Sequence, residues 1–252
     1  MAQLDGQVAL VTGATAGIGR ATALALAREG AAVVATGRNR AAGAETVAQI
    51  EAIGGRAAFL AQDANVEADW IAAVGGTLAA YGRLDILVNN AGKITVRPLE
   101  ALTPDDLHAM LQANLESCFL GMKYAWPHLK AAGGGAIVNV TALMGERTAA
   151  IGVAYSPAKA AAMALTKSAA LEGAPDNIRV NSIMPGLIWS DGWQRMAGPD
   201  PEATRVNVGK GAPMGRFGTP AEVAEAILFL VSDAARFITG IDFPVDGGRS
   251  AT

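Results

Sequence analysis

A single cysteine, Cys118, stands in 252 residues. One thiol excludes an intrachain disulfide framework and any cysteine-cluster metal site, and it fits a reducing compartment. Aromatic residues make up only 5 % of the chain and charged residues only 17 %. No block of Lys and Arg interrupts a mild net charge of −3, so the electrostatic footprint of a nucleic-acid-binding surface is missing. No stretch approaches the ~18 uninterrupted apolar residues of a membrane-spanning helix. The opening segment MAQLDGQVALVTG lacks the basic region and apolar core of a signal peptide. Together these absences predict a cytoplasmic globule with neither nucleic acid nor membrane as partner.

What the chain has in quantity is hydrophobic residues, 51 %, and glycine, 30 residues, which exclude disorder and imply many tight turns. Short apolar runs at 7–11, 32–36, 56–61, 84–88, 135–140, 178–183 and 241–245 read as strands. Helical periodicity fills the intervals at about 18–29, up to 53, 67–81, 103–130, 153–172 and 220–231. Thr103-Pro104-Asp105-Asp106 is a helix start, with a capping hydroxyl, proline in the first turn and acids beside it. Strands that are apolar throughout, each followed by a helix, specify a parallel sheet covered on both faces. The prediction is an α/β fold: one doubly wound Rossmann-type domain over residues 1–252, with about seven central strands. Residues 189–219 show no clear periodicity and are rich in Gly and Pro. A long irregular segment in a compact domain reads either as a substrate lid or as a plain surface excursion.

The turn after the first run is Thr12-Gly13-Ala14-Thr15-Ala16-Gly17-Ile18-Gly19. Gly13 allows a tight turn, Gly17 lets backbone approach a pyrophosphate, and Gly19 permits close helix–strand packing. With Thr15 and Ile18 in the same turn, the helix start offers free N–H groups and a positive dipole end to phosphates. The second strand ends in Gly37-Arg38, where a fold that prefers NAD carries an acid for the ribose hydroxyls. A guanidinium suits a 2′-phosphate, so NADP(H) is favoured over NAD(H). Asp63, followed by Ala64, is placed to meet the adenine amino group or to cap the helix near residue 67. Tyr155-Ser156-Pro157-Ala158-Lys159 opens a long Ala-rich helix. Tyr155 and Lys159 share a face at i and i+4, and a neighbouring ammonium is expected to lower the phenol pKa for acid–base work.

TGATAGIG at 12–19, Asn89-Asn90-Ala91-Gly92, Asn114, IVNV at 137–140, YSPAK at 155–159 and RVNSIMPG at 179–186 together resemble the short-chain dehydrogenase/reductase family over the whole chain. The resemblance implies that Tyr155 is the proton donor to a carbonyl. Lys159 lowers its pKa and binds the nicotinamide ribose, and Asn114 anchors a water that relays protons to Lys159. Asn90, with Ala91 and Gly92, lines the cofactor floor. Pro185 and Gly186 lead to Ile188 and Ser190 at the nicotinamide carboxamide. The short Tyr–Lys spacing differs from that of enoyl reductases. The family commonly forms homotetramers through its fourth and fifth helices and its C-terminal segment. A small-residue face of Ala160, Ala161, Ala164 and Ala169 suits such contacts, as does the ending Val245-Asp246-Gly247-Gly248.

One position departs from the pattern. The family carries a hydrogen-bonding serine thirteen residues before the tyrosine, and here that residue is Ala142. Either a catalytic serine has been replaced, or Thr141 supplies the hydroxyl. Adjacent strand residues point to opposite faces, which favours the first reading. Met144, Trp189, Trp193 and Met196 give the substrate opening an apolar character suited to a hydrophobic ketone or secondary alcohol. Arg147 and Arg195 leave room for an acidic group, and a 3-oxoacyl thioester is the alternative substrate. A non-catalytic cofactor-binding or redox-sensing protein is the alternative function, supported by Ala142 alone. His108 and His128 are read as surface or interface residues, and Cys118 as a packed small side chain.

Overall fold

The computed structural model describes residues 2–150 and 152–252. Seven strands, β1 (Val8–Val11), β2 (Ala32–Gly37), β3 (Arg56–Ala61), β4 (Ile86–Asn89), β5 (Gly135–Val140), β6 (Ile178–Pro185) and β7 (Asp242–Val245), form one sheet. Its order is β3-β2-β1-β4-β5-β6-β7, and every pairing is parallel. The helices are α1 (Gly17–Arg28), α2 (Arg40–Ala52), α3 (Glu67–Tyr81), α4 (Pro104–Leu111), α5 (Ser117–Ala131), α6 (Tyr155–Gly173), α7 (Asp191–Met196), α8 (Pro201–Gly209) and α9 (Pro220–Val231). This is the doubly wound architecture that the apolar runs predicted. The chain reverses direction between β1 and β4, and that switch point is where such sheets open a crevice.

Both faces of the sheet are covered because its strands are apolar on both sides. Val11, Val33, Val88 and Val138 pack with Leu26, Val223 and Ile227 of α1 and α9. Leu10, Val34, Leu87 and Ile137 pack with Trp70, Met122 and Leu129 of α3 and α5. Among the described residues, no helix is long and apolar enough to cross a membrane.

Arg179 gives the RVNS stretch a structural reason. Its guanidinium donates to the carbonyls of Leu230, Val231, Ser232 and Ile238, and so caps the C-terminus of α9. Asn181 donates to Ile238 O and accepts from Ile241 N, which fixes the entry to β7.

Two sequence readings need correction and one is refined. The helix expected over 103–130 is present from Pro104 to Ala131, with α4 and α5 running into one another through a π-helical turn, Gln112–Glu116, that contains Asn114. There Ser117 N–H reaches back to Gln112 O, and the Ser117 hydroxyl donates to Ala113 O at 2.9 Å. The segment 189–219 is not irregular but carries α7 and α8. Asp200 caps α8 by accepting from Ala203 N, with Pro201 in its first turn. Its base is stitched shut, since Trp189 N donates to Gly218 O and Gly218 N to Leu187 O. Ala169 does not belong to an open small-residue face; it is buried in the core beside Ile178 and Val180. Ala160 and Ala161 are half-buried and Ala164 is exposed, as helical geometry requires of positions around from Ala169.

Candidate active site

The glycine turn is held by main-chain anchors. Gly13 and Gly17 have φ of 62° and 52°, a region that disfavours any residue with a Cβ. A Cβ on Gly13 would lie 2.9 Å from Asn90 Nδ2, and one on Gly19 would collide with Gly13 O. Asn90 Nδ2 donates to Thr12 O and Gly13 O, while the Thr12 hydroxyl accepts from the N–H groups of Asn90 and Ala91. Ser190 comes from across the crevice, and its Cβ lies 3.6 Å from where a Gly17 Cβ would be. The result is a cradle kept open by glycines at the N-terminus of α1, which fits a dinucleotide pyrophosphate. Ile18 packs inward against the core. Thr12 and Arg20 escaped the sequence reading as anchors. Arg20 donates to Thr15 O at 2.6 Å, and no local pattern marks that contact.

At the edge of the cradle, Arg38 is exposed and its Nη1 lies 3.9 Å from Asp63 Oδ2. Asp63 does not cap α3. Its Oδ1 accepts from Asn65 N, and the N-cap position of α3 is Val66. Ala64 O accepts from the Trp70 indole at 2.9 Å. On the other side, Gly186 N donates to Val245 O, and a Cβ there would strike Asp246, so this turn after Pro185 needs glycine.

The chemistry-bearing groups gather beyond β4 and β5. A Cβ on Gly92 would fall 2.8 Å from Asn114 Oδ1 and 3.6 Å from Lys159 Nζ. The Asn114 amide donates to Lys93 O at 2.8 Å and accepts from Lys93 N at 3.3 Å, fixing the loop after Gly92. Lys159 is buried and donates to Val140 O at 2.7 Å. Its Nζ lies 5.8 Å from the centre of the Tyr155 ring.

The expected lowering of the Tyr155 pKa is not what this arrangement produces. Burial pushes the phenol above its ordinary range and pushes the Lys159 ammonium below its own. Tyr155 is half-buried and the Lys159 amine is turned to Val140 O, so burial sets the direction of the phenol's shift.

Ala142 stands at the end of β5 in extended conformation, leading into a 3₁₀ turn, Leu143–Gly145. That turn lies close on α6: a Cβ on Gly145 would meet Ala160 N at 3.0 Å. The Thr141 hydroxyl is buried and committed elsewhere, donating to Ile183 O at 2.8 Å and lying 3.2 Å from Ser182 Oγ. It is directed toward β6. Cys118 is buried, with its thiol 3.6 Å from Asn114 O. His108 is exposed and His128 half-buried.

Over this site, Trp189 and Trp193 each meet the buried Phe217 edge-on at 5.1 Å between ring centres. Phe217 was not singled out from the sequence; as one aromatic in a Gly-rich run it gives no local signal. Met144 is half-buried, with its Cε near Gly152, and Met196 is exposed.

Comparison with known proteins agrees with this architecture. Residues 13–250 match the profile of a family described as enoyl-(acyl carrier protein) reductase. Cyclopentanol dehydrogenase from Comamonas testosteroni is 39 % identical over 251 residues, covering 100 % of both chains. Cyclohexanol dehydrogenase from an Acinetobacter species is 39 % identical over 254 residues, covering 99 % of this chain and 97 % of that one. The structure of L-sorbose reductase from Gluconobacter frateurii, complexed with NADPH and L-sorbose, superposes with a TM-score of 0.96 at 31 % identity over 100 % of both chains. The chain thus belongs to the short-chain dehydrogenase/reductase family, oxidoreductases that act on alcohols or carbonyls.

Proposed function

We propose that the protein is an NADP(H)-dependent carbonyl reductase or secondary-alcohol dehydrogenase working on a hydrophobic substrate. The observation that carries this reading is the convergence of Tyr155, Lys159, Asn114 and Gly92 beside the Gly13–Gly19 cradle. The nicotinamide, when bound, supplies or accepts the hydride. Tyr155 gives its phenolic proton to the carbonyl oxygen in reduction and takes it back in oxidation. Lys159 would hold the nicotinamide ribose, and Asn114 would anchor a water that returns a proton from solvent. Arg38 would meet the 2′-phosphate and Asp63, beside Ala64, the adenine amine. Asn90 and Ala91 would line the floor, and Pro185, Gly186, Ile188 and Ser190 would hold the carboxamide end. Met144, Trp189, Trp193 and Met196 bound the substrate space, an apolar wall that suits a cyclic or alkyl ketone better than a 3-oxoacyl thioester.

Ala142 is the gap in this site, and the commitment of Thr141 to β6 supports reading it as a missing donor rather than a displaced one. Ala142 is also the one feature that favours a cofactor-binding protein without turnover. A homotetramer in the cytoplasm completes the reading, with the exposed Ala164 side of α6 available to a neighbour.

The test is steady-state oxidation of NADPH, and separately of NADH, against cycloalkanones, a 3-oxoacyl thioester and a ketose. Turnover of the cycloalkanones with NADPH preferred, and a preference reversed or abolished by Arg38→Asp, is expected. Absence of turnover with every substrate in both the natural chain and Ala142→Ser would replace the enzyme reading with the binding one.

A further inference from the structure

We infer that Phe217 is a positioning residue for the substrate: it holds Trp189 and Trp193 as one fixed aromatic wall over the site, so that the lid is set before any ligand arrives. Phe217 is 5 % exposed, and both indoles meet its ring at 5.1 Å between centres, with interplanar angles of 70° and 74°. Trp189 begins the 189–219 segment, Trp193 lies on α7, and Phe217 lies near the segment's far end. One phenyl ring therefore joins three parts of it. Edge-on ring pairs of this kind each shift an equilibrium by about 2- to 10-fold beyond the apolar area they bury.

The two sides of this contact are held very differently. Phe217 belongs to the rigid body. Its carbonyl accepts from Arg216 Nη1 at 3.0 Å, and Arg216 is paired with Glu222, whose carboxylate closes the capping box of α9. The next residue, Gly218, donates its N–H to Leu187 O at 2.8 Å, just beyond the end of β6. The end of α8 also packs here, since a Cβ on Gly209 would lie 3.1 Å from Phe217 N. By contrast, α7 is six residues long, has no side-chain cap, and buries none of its residues. So short a helix is not stable alone in water and needs a tertiary contact. Beyond its end, Ala197 O accepts from the Thr204 hydroxyl of α8 at 2.7 Å. Within α7 the largest side chain is Trp193, which is half-buried and rests on Phe217. That ring contact sets where α7 lies over the site.

A wall already in place costs no ordering when a substrate docks on it. A rigid ring gains most from it, because a ring cannot adapt to a displaced wall as a flexible chain can. The lid thus selects cyclic ketones over straight-chain ones. This choice of substrate rests on the alcohol or carbonyl reading above, whereas the ring contact stands without it.

Arg195, exposed on α7, makes the contact measurable without substrate or cofactor. Trypsin cleavage at Arg195 is followed by mass spectrometry in the natural chain, Phe217→Leu, Trp193→Leu and the double variant. Cleavage at Arg236, exposed and outside the segment, is the control. Each single variant should be cut at Arg195 roughly tenfold faster, with no change at Arg236. The double variant should stay within about threefold of Trp193→Leu, because both changes remove the same contact. In steady-state kinetics, Phe217→Leu should raise KM for a cycloalkanone roughly tenfold with kcat within about threefold. KM for a straight-chain ketone of the same carbon number should rise less.

Unchanged cleavage at Arg195 in either single variant would overturn the inference. So would single effects that multiply in the double variant, or an equal acceleration at Arg236. If Phe217→Leu fails to fold in a thermal melt, Trp193→Leu, on a helix with no buried residue, decides alone by the same criterion. An equal rise in KM for both ketones would overturn the selection of rings. Absence of turnover with every ketone would overturn the oxidoreductase reading, and the cleavage rates would still decide the role of Phe217.

Discussion

Two strand ends face the crevice, and they are built in opposite ways. At the end of β1 the working surface is backbone: glycines with positive φ, N–H groups at a helix start, and anchors from Thr12, Asn90 and Arg20. At the end of β5 the surface is side chain: the Tyr155 phenol, the Lys159 amine and the methyl group of Ala142. The first region is bonded through several anchors at once. On the proposed reading the second has one group for each task, so a single substitution there can remove a task while leaving the fold intact, whereas nearly any replacement in the glycine turn would move backbone.

The largest effect expected from breaking this contrast is at Tyr155. Tyr155→Phe removes the proposed proton donor and should lower kcat by about 10³-fold or more, within the range general acids and bases contribute. Its NADPH Kd, measured by fluorescence, should stay within a factor of about two, because the ring still packs. Retention of most of the activity would move the proton donor elsewhere.

Ala142→Ser is the complementary gain. A hydroxyl at this position would donate to the substrate oxygen as charge builds on it, raising kcat by about 10–10³-fold with little change in KM. Thr141→Val should leave kcat nearly unchanged, since its hydroxyl serves Ile183 O. A fall in kcat for Ala142→Ser together with a large loss for Thr141→Val would make Thr141 the working donor.

In the backbone-built region, Gly13→Ala should raise the Kd of both dinucleotides by roughly 10–100-fold. The change adds φ strain of about 1–3 kcal/mol to a collision with Asn90 Nδ2. Unchanged affinity in a titration would mean that the turn is less constrained than its anchors indicate.

The smallest effect is at the start of α9, where Thr219 and Glu222 form its capping box. The Glu222 carboxyl is held at about 2, chiefly by the Arg216 guanidinium and next by the Thr219 N–H. A depressed carboxylate contributes stability above its unfolded pKa, and that contribution is lost as pH falls toward 2. Because both partners are largely exposed, the melting difference between the natural chain and Glu222→Gln should be only a few degrees at pH 7 and vanish near pH 2. A difference that grows on acidification would contradict this sign.

The sheet, the glycine turn and the Tyr155–Lys159 face were legible in the sequence because each is a local pattern: apolar runs of strand length, glycines at fixed offsets, an i, i+4 pair. The Asp200-Pro201 start of α8 was equally local and was passed over because the surrounding Gly and Pro masked so short a helix. The elevated pKa of Tyr155 could not be read in advance, because it depends on which atoms exclude water from the ring. The same holds for Phe217 beneath two tryptophans and for Arg20 reaching Thr15 O. Each is a meeting of residues from different elements, and sequence spacing carries no record of it.

The π turn between α4 and α5 changes what insertions and deletions the chain can tolerate. Buried positions in and around it, Met110, Ala113, Asn114, Ser117, Gly121 and Ala125, keep to the three-and-four spacing of one helix face. The wide turn holds about one residue more than an ordinary turn, so α4 and α5 keep to that face on either side of it. Deleting a single residue within 112–116 would let the turn close to α-helix with α5 still facing the core, whereas deleting one within Ser117–Ala131 would rotate everything beyond it by about 100°. The turn is in this sense slack in the helix, a place where the length of the chain can change without turning the two ends apart.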